Sequence, residues 1–97
     1  MGPSYAVVWR EPEGVLCTGS VEVADGTLLF RGASAGRPVE RRVRLDELTG
    51  VRTLRTGEGL IDGRTTLLLE TAAERVHVTA VAGVGALAEL GAFLSGH

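Results

Sequence analysis

The 97-residue chain contains no lysine, asparagine or glutamine, one cysteine and only 4% aromatic residues. Each scarcity closes off a class of protein. Cys17, being alone, forms no intramolecular disulfide and supplies none of the paired-cysteine spacings of a metal site, so no metal and no cofactor is expected. The longest run free of Asp, Glu and Arg, from Val76 to Ala88, falls short of the roughly 20 apolar residues a membrane-spanning helix needs. The start, MGPSYAVVWRE, has neither the basic region nor the apolar run of a secretory signal, and the chain reads as cytoplasmic. All 10 basic residues are arginines, set against 12 carboxylates for a formal charge of -2. That mild acidity argues against nucleic-acid binding, which needs a concentrated basic face to displace counterions from phosphates. The missing lysine, asparagine and glutamine read as the imprint of GC-rich coding.

What is present is 44% apolar and 23% charged sequence, without repeats, linkers or low-complexity tracts, which fits one domain over residues 1–97 built on one core. Short runs of Val, Leu and Thr are punctuated by glycine, which is strand spacing. Tyr5 to Arg10 is a first strand. Val15 to Ala24 is a second, with Val15, Cys17, Val21 and Val23 on one face and Thr18, Ser20 and Glu22 on the other, the alternation of a half-buried antiparallel strand. Asp25-Gly26 then supplies the pair that accepts positive φ at both centre positions of a type I′ hairpin. Its partner strand, Thr27 to Gly32, points Leu28 and Phe30 one way and Thr27, Leu29 and Arg31 the other. Ala33 to Pro38 is expected to be a loop, because it is small residues with Gly36 and a proline.

A fourth strand is expected over Val39 to Leu45, with Val39, Val43 and Leu45 inward. Arg41 falls on that inward side too, which suggests a late start or a bulge. A corner at Asp46 to Gly50 leads to a fifth strand, Val51 to Thr56, and then a loop, Gly57 to Gly63. Thr65 to Thr71 and Arg75 to Ala80 complete the set. From about Val84 the period changes: Val84, Leu87, Leu90, Gly91 and Leu94, with Phe93 beside them, have the spacing of one helix stripe. About seven antiparallel strands over residues 5–80 and a helix over 84–95 make a mainly β chain, expected to curl into a closed barrel stoppered by Leu87, Leu90, Phe93 and Leu94.

The segments GSVEVADGTLLFRG (Gly19 to Gly32) and RRVRLDELTGVRT (Arg41 to Thr53), followed by a strand pair and a helix, resemble the pleckstrin-homology-like superfold, in particular its small bacterial pleckstrin-homology and GRAM-like members. The resemblance covers nearly the whole chain and implies a seven-stranded barrel with one C-terminal helix. Such domains include readers of phosphoinositide headgroups, which use basic residues in the first hairpin. Here that hairpin carries Arg10-Glu11-Pro12-Glu13-Gly14, with two carboxylates where cations are wanted.

Candidate functional residues follow from this frame. Arg31, Arg37, Arg42 and Arg44, with Arg41 among them, form an arginine-dense region that reads either as a face for anions or anionic lipid, or as a solvated face offset by Glu40 or Glu70. No catalytic residues are assigned. Cys17 points to the core and His77 to the opposite face, so the two do not form a nucleophile and base pair. Trp9 shares a face with Tyr5 and reads either as packed in the core or at its edge or, being a residue type enriched at binding hot spots, as part of a partner interface. Leu60 and Ile61 in the glycine-bounded loop read either as folded back onto the barrel rim or, if exposed, as a contact site. Ala88 and Ala92 join them, on a helix whose one charge is Glu89. The expected function is a non-catalytic binding or scaffolding module that contacts a protein partner or a second copy of itself, the alternative being an anionic membrane surface.

Overall fold

The computed structural model describes residues 3–95. Its elements are β1 (Ser4–Arg10), β2 (Leu16–Ala24), β3 (Thr27–Ser34), β4 (Arg37–Arg44), a single 3₁₀ turn (Leu45–Glu47), β5 (Leu48–Leu54), β6 (Thr66–Thr71), β7 (Arg75–Ala80) and α1 (Val84–Ser95). The strands form one antiparallel sheet in the order β4-β3-β2-β1-β7-β6-β5. The expected mainly β fold of seven antiparallel strands and one C-terminal helix is what forms; the sheet curls as a half-barrel and not a closed one, with β4 and β5 at its two ends and no ladder joining them among the described residues.

The hairpins follow local chemistry. Asp25 and Gly26 both have positive φ, 51° and 72°, as a type I′ turn requires. The segment expected as a loop, Ala33 to Pro38, is instead a second hairpin. Ala35 and Gly36 turn the chain with φ of 51° and 79°, and β3 and β4 stay in register from Thr27↔Arg44 to Ser34↔Arg37. An alanine in the left-handed region is unfavourable by itself, so the turn is imposed by the long ladder it closes. That unbroken register also removes the suggested bulge: Arg41 does point inward.

Two glycines let the sheet curl. Gly19 and Gly32 face each other across β2 and β3. A Cβ on Gly19 would lie 2.0 Å from the Arg31 carbonyl oxygen, and one on Gly32 would lie 2.2 Å from that of Thr18. Only hydrogen fits at either position, so the strands bend here as side-chain-bearing residues would forbid. Inside the curl lie Val7, Trp9, Cys17, Val21, Val23, Leu28, Phe30 and Val43 from the first four strands, with Leu67, Leu69, Val76 and Val78 from β6 and β7. Trp9 meets Phe30 with ring centroids 5.2 Å apart, and its indole N–H has no partner. A lost hydrogen bond costs about 1–3 kcal/mol, while burying roughly 200 Å² of ring returns about 5 kcal/mol, so the ring stays inside.

The helix covers part of the concave face, packing on β5, β6 and β7. Leu87, Leu90 and Leu94 enter the core, whereas Phe93 remains 38% and Val84 62% exposed. Phe93 is one residue, about 100° of rotation, from Leu94, which turns it off the stripe it was expected to share. Gly91 lets the helix approach Leu67, whose Cδ2 would be 3.3 Å from an added Cβ.

The glycine positions can be told apart by experiment. Gly32→Ala is expected to lower the unfolding free energy by about 3 kcal/mol, because backbone must move to admit the methyl group. Gly85→Ala on α1, where an added Cβ meets nothing, is expected to raise it by about 0.5–1 kcal/mol. Urea denaturation of both variants reads the contrast in sign.

Candidate functional site

The arginine region divides once it is folded. Side chains alternate along β4, so Arg42 and Arg44 lie with Glu40 on the convex face beside Arg31 of β3, while Arg41 lies on the concave face. Arg37 belongs to the Arg41 phase, at the far end of the strand. Arg31 and Arg42 both pair with Glu40, at 3.3 Å and 3.6 Å. Arg44 pairs with Asp46 at 2.8 Å and Glu47 at 3.8 Å. These side chains are half or more exposed, so each pair contributes at most about 1 kcal/mol, but together they offset the positive charge of the face. Among the described residues Arg37 has no ion partner. A shallow cleft of about 650 Å³ beside the face is lined by Glu22, Leu29, Arg42, Arg44 and Glu47, again of mixed charge.

The backbone edge next to this face is open. The Leu45 amide donates to the Gly26 carbonyl at 2.9 Å, which fixes the phase of the β3–β4 ladder. Odd-numbered residues of β4 exchange hydrogen bonds with β3. Glu40, Arg42 and Arg44 therefore turn their amides and carbonyls outward, where no described strand pairs with them. Pro38 stands in the same phase and has no amide to expose.

Arg41 is the opposite case. Its Nε donates to Glu11 and its Nη1 to Glu74. Glu11 follows β1 and its side chain is 8% exposed, Arg41 is 20% exposed, and Glu74 lies in the turn between β6 and β7. β4 and β7 are separated by three strands in the sheet, so the Arg41 guanidinium reaches the neighbouring turns beside β1 and β7 only because the sheet curls.

Of the residues with reactive side chains, Cys17 is buried and His77 is half-buried. Cys17 is 1% exposed, and burial, with Glu11 and Glu13 nearby, pushes its thiol above the usual range. His77, on the convex face of β7, is covered by the loop over residues 55–65. A Cβ on Gly59 would lie 3.5 Å from His77 Nε2 and 2.8 Å from Leu54 Cδ1. Burial, then Arg10 and Arg75, hold the imidazole below its usual value of 6.5. The loop is fastened by the Ile61 amide donating to Thr66 Oγ1 at 3.0 Å and by Arg10 Nη2 donating to the Leu60 carbonyl at 3.5 Å. Among the described residues no group of three His, Cys, Asp or Glu side chains could hold a metal ion.

Two of the expected interface residues are corrected. Trp9 and Ile61 are both 0% exposed. Trp9 alternates inward with Val7. Ile61 folds back onto the convex face with Leu68, which is 5% exposed and outside the main core cluster. Leu60 is half-buried, and Ala88 and Ala92 are exposed on the outer side of α1. Glu89, the helix's one charge, accepts a 3.2 Å hydrogen bond from the Tyr5 hydroxyl, which pins the helix to β1. The open β4 edge was not expected, because the only cue to it was Ala35-Gly36.

Two outcomes follow. Arg41→Met leaves Glu11 buried without a partner and is expected to cost about 3 kcal/mol, most of it recovered in the Arg41→Met, Glu11→Leu double variant, as read by denaturant titration. His77 takes up its proton at lower pH when folded than when unfolded. As pH falls through 6.5 the unfolded chain binds more protons, so stability present above that value is lost on the acid side. Between about pH 7.5 and pH 5, the wild-type urea midpoint is expected to fall further than that of His77→Gln.

No family model matches this chain, and no curated protein matches it. Among solved structures it is similar to the crystal structure of the C-terminal domain of an unknown protein from Leishmania infantum, at 13% identity and a TM-score of 0.65. The match covers 95% of this chain and 81% of that one. At that identity the likeness shows a shared fold and nothing about activity.

Proposed function

We propose that the chain is a non-catalytic interaction domain of the pleckstrin-homology-like kind, working in the cytoplasm through contacts with protein. The observation that carries this reading is the contrast between its side chains and its backbone. Cys17 is buried, His77 is half-buried under the loop over residues 55–65, and Arg41 is held by Glu11 and Glu74. A whole strand edge meanwhile offers unpaired amides and carbonyls at Glu40, Arg42 and Arg44. An open edge of this kind recognises extended backbone or another edge, by main-chain hydrogen bonds with side chains setting the register. The curled sheet with its C-terminal helix supports the pleckstrin-homology-like assignment. Among the described residues no helix is long and apolar enough to cross a membrane.

A second reading, contact with an anionic membrane surface, draws on the exposed Arg31, Arg37, Arg42 and Arg44. The first is preferred because Glu40, Asp46 and Glu47 already pair with three of those arginines. In-cell photo-crosslinking, with the reactive group placed in turn at Arg42 on β4, Ala88 on α1 and Thr18 on β2, is expected to give a discrete protein adduct that depends on position. The purified protein is expected to stay in the supernatant with phosphatidylserine vesicles. Labelling without positional preference, together with sedimentation on those vesicles, overturns the reading in favour of the membrane.

A further inference from the structure

The β4 edge carries enough information to name an occupant. We propose that a second copy of this chain pairs with it, β4 antiparallel to β4 across a two-fold axis at Arg41, a proposal that rests on the protein-contact reading above. The outward phase fixes which residues are opposed: even-numbered positions must meet even-numbered positions for their amides and carbonyls to bond. With the axis at Arg41, Glu40 lies opposite the partner's Arg42 and Arg42 opposite the partner's Glu40. Both opposed pairs are of unlike charge on the convex face, where such pairs are favourable. The Arg44 amide donates to the carbonyl of the partner's Pro38, and that proline, having no N–H, ends the ladder.

Neighbouring registers fail on charge. Moving the axis to position 40 sets Glu40 against its own copy, and moving it to position 42 does the same to Arg42, like-charge contacts that destabilise a sheet. On the concave side the favoured register brings Val39, half-buried in the single chain, against the partner's Val43, so the apolar faces run on from one copy to the next. Arg41 meets its own copy at the axis, but its guanidinium is directed inward to Glu11 and Glu74. The convex face is close to neutral, with Arg31, Arg42 and Arg44 against Glu40, Asp46 and Glu47, so it favours a copy of itself over a strongly acidic segment. The other free edge is less suited. β5 has a register shift between Leu48 and Gly50 and lies under α1, both of which blunt an edge against pairing.

Sedimentation equilibrium on the full chain tests this. The wild type is expected to form a dimer in the micromolar to millimolar range. Arg42→Glu, which opposes Glu40 with a second carboxylate, is expected to raise the dissociation constant about tenfold or more, and the Glu40→Arg, Arg42→Glu exchange to restore it. Arg42→Pro removes an amide that the single chain leaves unbonded, and is expected to abolish the dimer while circular dichroism shows the fold retained. Hydrogen exchange at the Glu40 and Arg42 amides is expected to slow as protein concentration rises. A strict monomer at roughly 1 mM overturns the proposal. So does a dimer unmoved by both Arg42→Glu and Arg42→Pro, which places the contact on another face. A monomer that still gives a position-dependent adduct from Arg42 in the cell overturns self-pairing alone and leaves the protein-contact reading standing. A monomer that gives no position-dependent adduct from Arg42, Ala88 or Thr18 overturns both.

Discussion

Arg41 stands on a strand at one end of the sheet and still reaches Glu74, in the turn before β7, with three strands lying between. That reach exists only if the sheet curls until its concave face is nearly enclosed, and the rest of the structure depends on that curl. A flat sheet would leave Trp9, Phe30, Leu28 and Leu69 facing water. At about 25 cal/mol per Å² of apolar surface, hiding them is the main gain of folding. The Gly19 and Gly32 pair makes the bend sterically possible, α1 covers the side of β5, β6 and β7, and the Glu11–Arg41–Glu74 group ties the terminal strand β4 to the neighbouring turns beside β1 and β7. The charge group is a constraint more than a source of stability. Desolvating the ions offsets much of their attraction, while leaving Glu11 unpaired is the costly alternative.

The curl also sorts the chemistry of the molecule. Cys17 is taken inside on the concave side, and His77 is half-buried beneath Gly59. Because no ladder among the described residues joins the two ends of the sheet, the outward amides and carbonyls of β4 stay open to another molecule. The surface arginines are tempered by carboxylates on the same or the next strand, so that face has pattern without large net charge. Natural edges are commonly blunted by charge and proline. On β4 the proline sits near one end and the outward charges run Glu40, Arg42, Arg44, one carboxylate beside two guanidinium groups, which restricts the pairing registers more than it forbids pairing.

Much of this was legible in the residues. Alternation located the strands, Asp25-Gly26 the first hairpin, and the switch in period the helix, because each of these signals is local and repeats over several residues. Val15 was read too far inward: it is 45% exposed and precedes β2, since a pattern of alternation does not say where a strand begins. The Ala33 to Pro38 hairpin was missed because Ala35-Gly36 has no turn chemistry of its own. Trp9 and Ile61 were left open between core and contact, and the structure buries both, for a related reason: an aromatic or aliphatic side chain reads alike whether it fills a core or a partner's pocket.

By itself the sequence determined the element types, the hairpin at Asp25-Gly26, the inward set on each strand and the anomaly of an arginine among inward valines. Tertiary structure alone decided that the sheet stays open at β4 and β5, that Arg41 is answered by Glu11 and Glu74, that the loop over 55–65 lies on the convex face, and that Gly19 stands against Gly32. The division has a physical cause. Periodicity and turn preference act over a few neighbouring residues, whereas closure, charge neutralisation and close backbone approach depend on which distant segments the curl brings within a few ångströms.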